Sequence, residues 1–76
     1  LSIYPNPTKR VLNIQLPEAS KSTTFIQVRD VFGRVIHEES SSELLLQLNT
    51  EELANVTYFI SIVNADERWT KTFVKQ

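Results

Sequence analysis

The sequence predicts an all-β fold, an antiparallel β-sandwich of about seven short strands, and three observations carry that prediction. Apolar and polar residues alternate with period two in short runs, the signature of strands with one buried face. Turn-forming residues break those runs at roughly ten-residue spacing, as in sandwiches and small barrels. Tyr58 follows Leu53 at the entrance of an apolar strand, which matches the tyrosine corner seen in immunoglobulin-like sandwiches and favours a sandwich over an open sheet.

Seven runs qualify as strands: 2–4, 10–16, 24–29, 34–39, 44–48, 57–64 and 67–75. Their inward positions are read as Leu12, Leu16, Ile26, Val28, Ile36, Leu44, Leu46, Leu48, Tyr58, Ile60 and Ile62. Pro5 and Pro7 lack an amide hydrogen, and Pro7 drives Asn6 toward extended geometry, so the first strand ends at Tyr4 in a rigid turn. Gly33, the only glycine, stands three residues after Asp30; this spacing predicts a type I turn with a bulge and a positive φ at Gly33. Residues 19–24 and 38–43 read as polar loops, and residues 64–66 as a tight hairpin turn. Asn49 or Thr50 caps one helical or 3₁₀ turn over residues 49–54, with Glu51 and Glu52 in its first turn.

Length and composition exclude several function classes. Seventy-six residues make one domain, read as residues 1–76, and too small a core to spare a deep catalytic pocket. The absence of any Met, an initiator included, marks the chain as an expected piece of a larger protein, in which a signal peptide would lie upstream if this is a C-terminal fragment. A net charge of −1 provides no field for nucleic acid, and no apolar run has the length for membrane insertion. Charge is nonetheless segregated: residues 38–52 carry five glutamates and no Lys or Arg, whereas residues 68–76 carry Arg68, Lys71 and Lys75 and no acid. The plain reading is a solvated acidic edge and a solvated basic strand.

No catalytic, metal or cofactor site is expected. His37 is the only histidine and there is no cysteine, so neither a zinc site nor a nucleophile–base pair can be assembled. The adjacent pairs Glu38–Glu39 and Glu51–Glu52 would point to opposite faces of a strand and cannot flank one bond. Asn55-Val56-Thr57 fits the glycosylation pattern, which is frequent by chance. Trp69 and Phe73 share a face of the last strand and offer an alternative role, an adhesive or carbohydrate-binding platform of a secreted enzyme, against the plainer reading that they seal the core. Residues 71–76 are either a Lys-bearing edge that resists aggregation or a handle captured by strand addition or a carboxylate-binding nest; the residues alone leave the two open.

Three segments in order, residues 3–8 with the Tyr-Pro-Asn-Pro opening, residues 28–35 with Asp30 and Gly33-Arg34, and Tyr58 followed by the Lys-Thr-Phe-Val-Lys-Gln ending, resemble a known family across the whole chain. It is the type A C-terminal sorting domain of the type IX (Por) secretion system of Bacteroidetes. The resemblance implies a seven-stranded immunoglobulin-like sandwich, not an enzyme, at the C-terminus of a covalently linked cargo. It implies passage through the periplasm, recognition by the outer-membrane translocon, removal by a sortase-like peptidase before Leu1, and attachment at the cell surface or release. Matched residue by residue, Tyr4, Pro5, Asn6 and Pro7 hold the opening motif, Asp30, Gly33 and Arg34 the middle one, and Tyr58, Lys71, Phe73, Val74, Lys75 and Gln76 the closing one. The resemblance tips residues 71–76 toward the handle, with Lys71, Phe73, Val74, Lys75 and Gln76 as expected translocon contacts. Two positions depart from the pattern: Arg29 stands where members carry Tyr, and Val56 where they carry Gly, which is expected to alter the backbone at the corner.

Overall fold

The computed structural model describes residues 1–18, 20 and 22–76, so Ala19 and Lys21 of the polar loop expected at 19–24 lie outside the described residues. Seven strands are present: β1 (Ser2–Tyr4), β2 (Val11–Gln15), β3 (Thr24–Arg29), β4 (Val35–Ser41), β5 (Leu45–Asn49), β6 (Thr57–Asn64) and β7 (Glu67–Val74). They form two antiparallel sheets, one in the order β1-β2-β5 and one in the order β4-β3-β6-β7. Each central strand buries every second residue, Leu12 and Ile14 in β2, Ile26 and Val28 in β3, Tyr58, Ile60 and Ile62 in β6, and these faces meet in one core. Ile14, absent from the expected inward set, is fully buried and shares the parity of Leu12 and Leu16.

One inward assignment is corrected. Ile36 is 39% exposed. Its strand slips by a residue: Val28 faces His37 but Arg29 faces Val35, and Ile36 is the extra residue of the bulge. Residues 37, 39 and 41 face the buried Val28, Ile26 and Thr24 and so hold the inward parity, which leaves Ile36 out of phase with the core. Leu44 is only half-buried and packs against the core from its rim, ahead of β5.

The turns follow their residue chemistry except at residues 38–43, where β4 continues to Ser41 through the first part of the expected polar loop. Asp30 and Gly33 close a turn through the Gly33 N–H to the Asp30 carbonyl at 3.0 Å, and Gly33 takes φ 83°, a conformation that glycine adopts without Cβ strain. The β6–β7 hairpin turns on Ala65 and Asp66, since Asn64 still faces Glu67, and Ala65 takes φ 52° as a two-residue hairpin requires. Residues 49–54 make one turn: Asn49 Oδ1 accepts the Glu51 N–H at 2.9 Å and the Leu53 N–H reaches the Thr50 carbonyl at 3.1 Å. Beyond it the Tyr58 hydroxyl donates to the Ala54 carbonyl at 2.9 Å, the tyrosine corner expected from the sequence. Val56 is not among the residues of positive φ, so the β-branched side chain sits in ordinary backbone space. Tyr58→Phe removes one part-buried hydrogen bond at unchanged volume and is expected to cost about 1 kcal/mol. That is roughly 4–8 °C of midpoint for a domain this small, read from thermal unfolding by circular dichroism.

Candidate functional site: the loop end and the clamped last strand

The register places all three family-like segments at one end of the sandwich. Arg29, the last residue of β3, faces Phe59 of β6; Phe59 faces Thr72 and Thr57 faces Val74 of β7. The Asp30–Arg34 turn, the corner before Tyr58 and the end of β7 therefore lie together. The Tyr4–Thr8 segment joins them, because Thr8 forms a parallel bridge with Lys75.

That segment clamps β7. The Thr8 N–H donates to the Val74 carbonyl at 2.8 Å, and the Gln76 N–H donates to the Thr8 carbonyl at 2.8 Å. Pro5 and Pro7 have no N–H to offer, and the Asn6 side chain takes over the missing ladder positions. Its Oδ1 accepts the Val74 N–H at 2.9 Å and its Nδ2 reaches the Thr72 carbonyl at 3.4 Å, so a side-chain amide imitates a peptide unit. The peptide bonds before Pro5 and Pro7 are both cis. Thr8 is fully buried; its hydroxyl donates to the Val11 carbonyl at 2.8 Å and lies 3.5 Å from the Thr50 hydroxyl. On the other side of β7, the Lys75 N–H reaches the Val56 carbonyl at 3.1 Å.

The clamp changes what residues 71–76 present. Phe73 has no exposed surface and stacks on Tyr58, ring centroids 5.4 Å apart. Lys75 is 7% exposed; its stem is covered and its ammonium lies 3.5 Å from Asn55 Oδ1 and 3.3 Å from the Gln76 carbonyl. Val74 is half-buried, whereas Lys71 and Gln76 are exposed. The backbone edge of residues 72–76 is already occupied by Asn6 and Thr8. Trp69 is half-buried against the core, and with Phe73 inside it the two rings do not form an exposed platform for a sugar.

At the middle segment, Asp30 is buried beneath its own turn. Its Oδ1 accepts the Phe32 and Arg34 N–H groups at 2.9 and 3.0 Å, and its Oδ2 accepts Arg34 Nε at 2.8 Å. Burial by itself raises the pKa of this carboxyl, but the bonds from Arg34 and Phe32 and the Arg34 charge outweigh it and hold the group below its ordinary value. A carboxylate depressed on folding stabilises the fold above its ordinary range, near pH 4, and loses that contribution as the pH falls through the lowered value. Acid titration of the denaturation midpoint is therefore expected to decline from about pH 4 downward, and Asp30→Asn to flatten that decline. An unchanged slope in the variant would remove Asp30 as the cause.

Other charged groups form no site. His37 Nε2 lies 2.8 Å from Glu39 Oε1 on the exposed edge strand β4, and the described residues contain no metal-ligating cluster. Among the described residues no helix is long and apolar enough to cross a membrane. The sequence reading missed the Asn6–Val74 and Thr8–Val74 bonds, whose partners are far apart in sequence; the two prolines flanking an amide side chain were the available signal.

No curated protein matches the chain. Residues 2–76, nearly the whole length, match the family described as "Secretion system C-terminal sorting domain". With the opening, middle and closing segments drawn to one end of an all-β sandwich, the chain belongs to the secretion system C-terminal sorting domains and is a sorting signal for type IX secretion, a family that is not catalytic.

Proposed function

We propose that this sorting signal is the C-terminal module of a larger cargo protein and that the secretion machinery reads it at the loop end. In this reading the cargo crosses the periplasm with the folded domain attached, and the outer-membrane type IX translocon docks on the end that carries the opening turn and the close of β7. A sortase-like peptidase then cuts ahead of Leu1, and the cargo is attached at the surface or released. The observation that carries the reading is the gathering of Tyr4–Pro7, Asp30–Arg34 and residues 74–76 at one end of the sandwich.

The expected recognition residues divide by burial. Gln76, Lys71 and the Tyr4–Pro7 turn are exposed and available to touch a partner, with Val74 half-available. Phe73 and Lys75 act from below, by fixing the strand that presents them. The whole domain is thus the signal, because no segment of it holds this geometry alone.

The test is a reporter with a periplasmic signal peptide fused ahead of Leu1, produced in a type IX-competent bacterium and in the same strain lacking the translocon. Reporter at the surface or in the medium of the first, and in the periplasm of the second, is the expected outcome. The same distribution in both strains would sink the reading.

A further inference from the structure

We infer that the β3–β4 hairpin tip, Val31 and Phe32, is the anchor of this domain, a preformed apolar knob that seats in an apolar, acid-rimmed socket on the protein that receives it. The inference rests on the sorting reading above and names the surface and the partner chemistry within it.

Phe32 is 80% exposed and Val31 57% exposed, far beyond what a two-residue turn tip needs. A mobile aromatic at a loop tip would lose much of its binding energy to ordering. Here the tip is already ordered. Asp30 accepts the N–H groups of Phe32 and Arg34, the Gly33 N–H closes onto the Asp30 carbonyl, and Arg29 Nη1 donates to the Gly33 carbonyl at 3.0 Å. The Arg34 guanidinium, itself held by Asp30, lies 5.6 Å from the Phe32 ring centroid and supports the ring from one side. These bonds hold the turn in one shape and present two side chains that lie outside the core cluster.

The surroundings select the partner. Exposed large apolar residues concentrate at this end: Val35, Val56, Phe59 and Tyr4 accompany the tip, while the far end carries Phe25 and Leu45. An exposed aromatic within a wider apolar surface is the composition of a protein-binding hot spot. Arg29 and Arg34 flank the tip, and the one carboxylate within the turn, Asp30, is buried and already bonded. The turn itself therefore carries a net positive charge, while Glu51 and Glu52 stand in the neighbouring groove beyond Ile36 and His37, so acids are called for on the part of the socket that meets Arg29 and Arg34.

The test uses the reporter fusion with Val31→Ser/Phe32→Ser and, as a control, Phe25→Ser, another exposed aromatic at the opposite end. Neither change touches the core, so circular dichroism and the unfolding midpoint are expected to stay as in the wild type. Export by the tip variant is expected to fall roughly tenfold or more, the scale of losing a central apolar anchor, with Phe25→Ser near wild type. Wild-type export with undiminished export of the tip variant overturns this inference alone, as does an equal loss in Phe25→Ser. A wild-type fusion retained in the periplasm overturns the sorting reading and this inference with it. Tip-dependent binding of the chain to phosphatidylglycerol vesicles would also overturn the protein socket, in favour of a lipid surface.

Discussion

Phe73→Ala is expected to remove about half of the protein's folding stability. Removing a fully buried Phe costs about 3–5 kcal/mol, from the lost transfer of the ring and the cavity that remains. A domain of 76 residues has roughly 4–11 kcal/mol in total at about 0.05–0.15 per residue. The cavity would open against Tyr58, whose ring stacks on Phe73 and whose hydroxyl fixes the corner, so the loss spreads to the β6 entrance. Urea unfolding followed at Trp69 is the measurement, and a midpoint within experimental error of wild type would contradict the packing described. The consequence for function is direct. Deleting residues 72–76 removes Phe73 as well, and a truncation that fails to be exported reports a collapsed sandwich as readily as a lost contact. Exposed positions, Phe32 and Gln76 among them, separate recognition from folding where truncation cannot.

The residues that alternate with period two were legible because a strand with one buried face has little other choice of pattern. β2, β3, β5 and β6 follow it with boundaries displaced by one residue at most. Ile36 was not legible, because Val35 and Ile36 are adjacent and both apolar, so composition does not fix the phase of β4, and the bulge beside them carries no local cue. Asp30 and Gly33 announced their turn through local chemistry, a side-chain acceptor followed by a residue tolerant of positive φ. The state of residues 71–76 was the hardest to read. Lys75 looks like a solvated cation and is covered, since a bridge to Thr8 folds the opening turn over it, and a bridge across most of the chain leaves no periodic trace. Sequence chemistry ranks the residues of a strand by type, whereas their exposure depends on what the rest of the chain lays beside them.

The paired substitution Asn6→Ala/Thr8→Val is expected to release the end of β7 while leaving the core formed. Asn6→Ala removes the acceptor of the Val74 N–H and the donor to the Thr72 carbonyl; both sites are exposed, so water replaces much of the loss and the cost is about 1 kcal/mol. Thr8→Val keeps shape but strips the buried hydroxyl from the Val11 carbonyl and the Thr50 hydroxyl, leaving polar groups unpaired at about 1–3 kcal/mol. The backbone bonds of Thr8 survive, as do Phe73 and the β6–β7 ladder, so the sum of roughly 2–4 kcal/mol falls on the clamp more than on the sandwich. Amide exchange distinguishes the two. The Val74 and Gln76 amides, whose acceptors belong to the clamp, are expected to lose protection well beyond the change at Ile60 and Ile62. Uniform acceleration across all four would mean that the clamp holds the whole domain rather than its last strand. If the loop end is read as a rigid surface, export of the reporter falls in step with Gln76 protection while the circular dichroism of the sandwich persists, and Thr8→Val alone, which leaves every exposed side chain in place, shows the same fall in proportion to its own loss of protection.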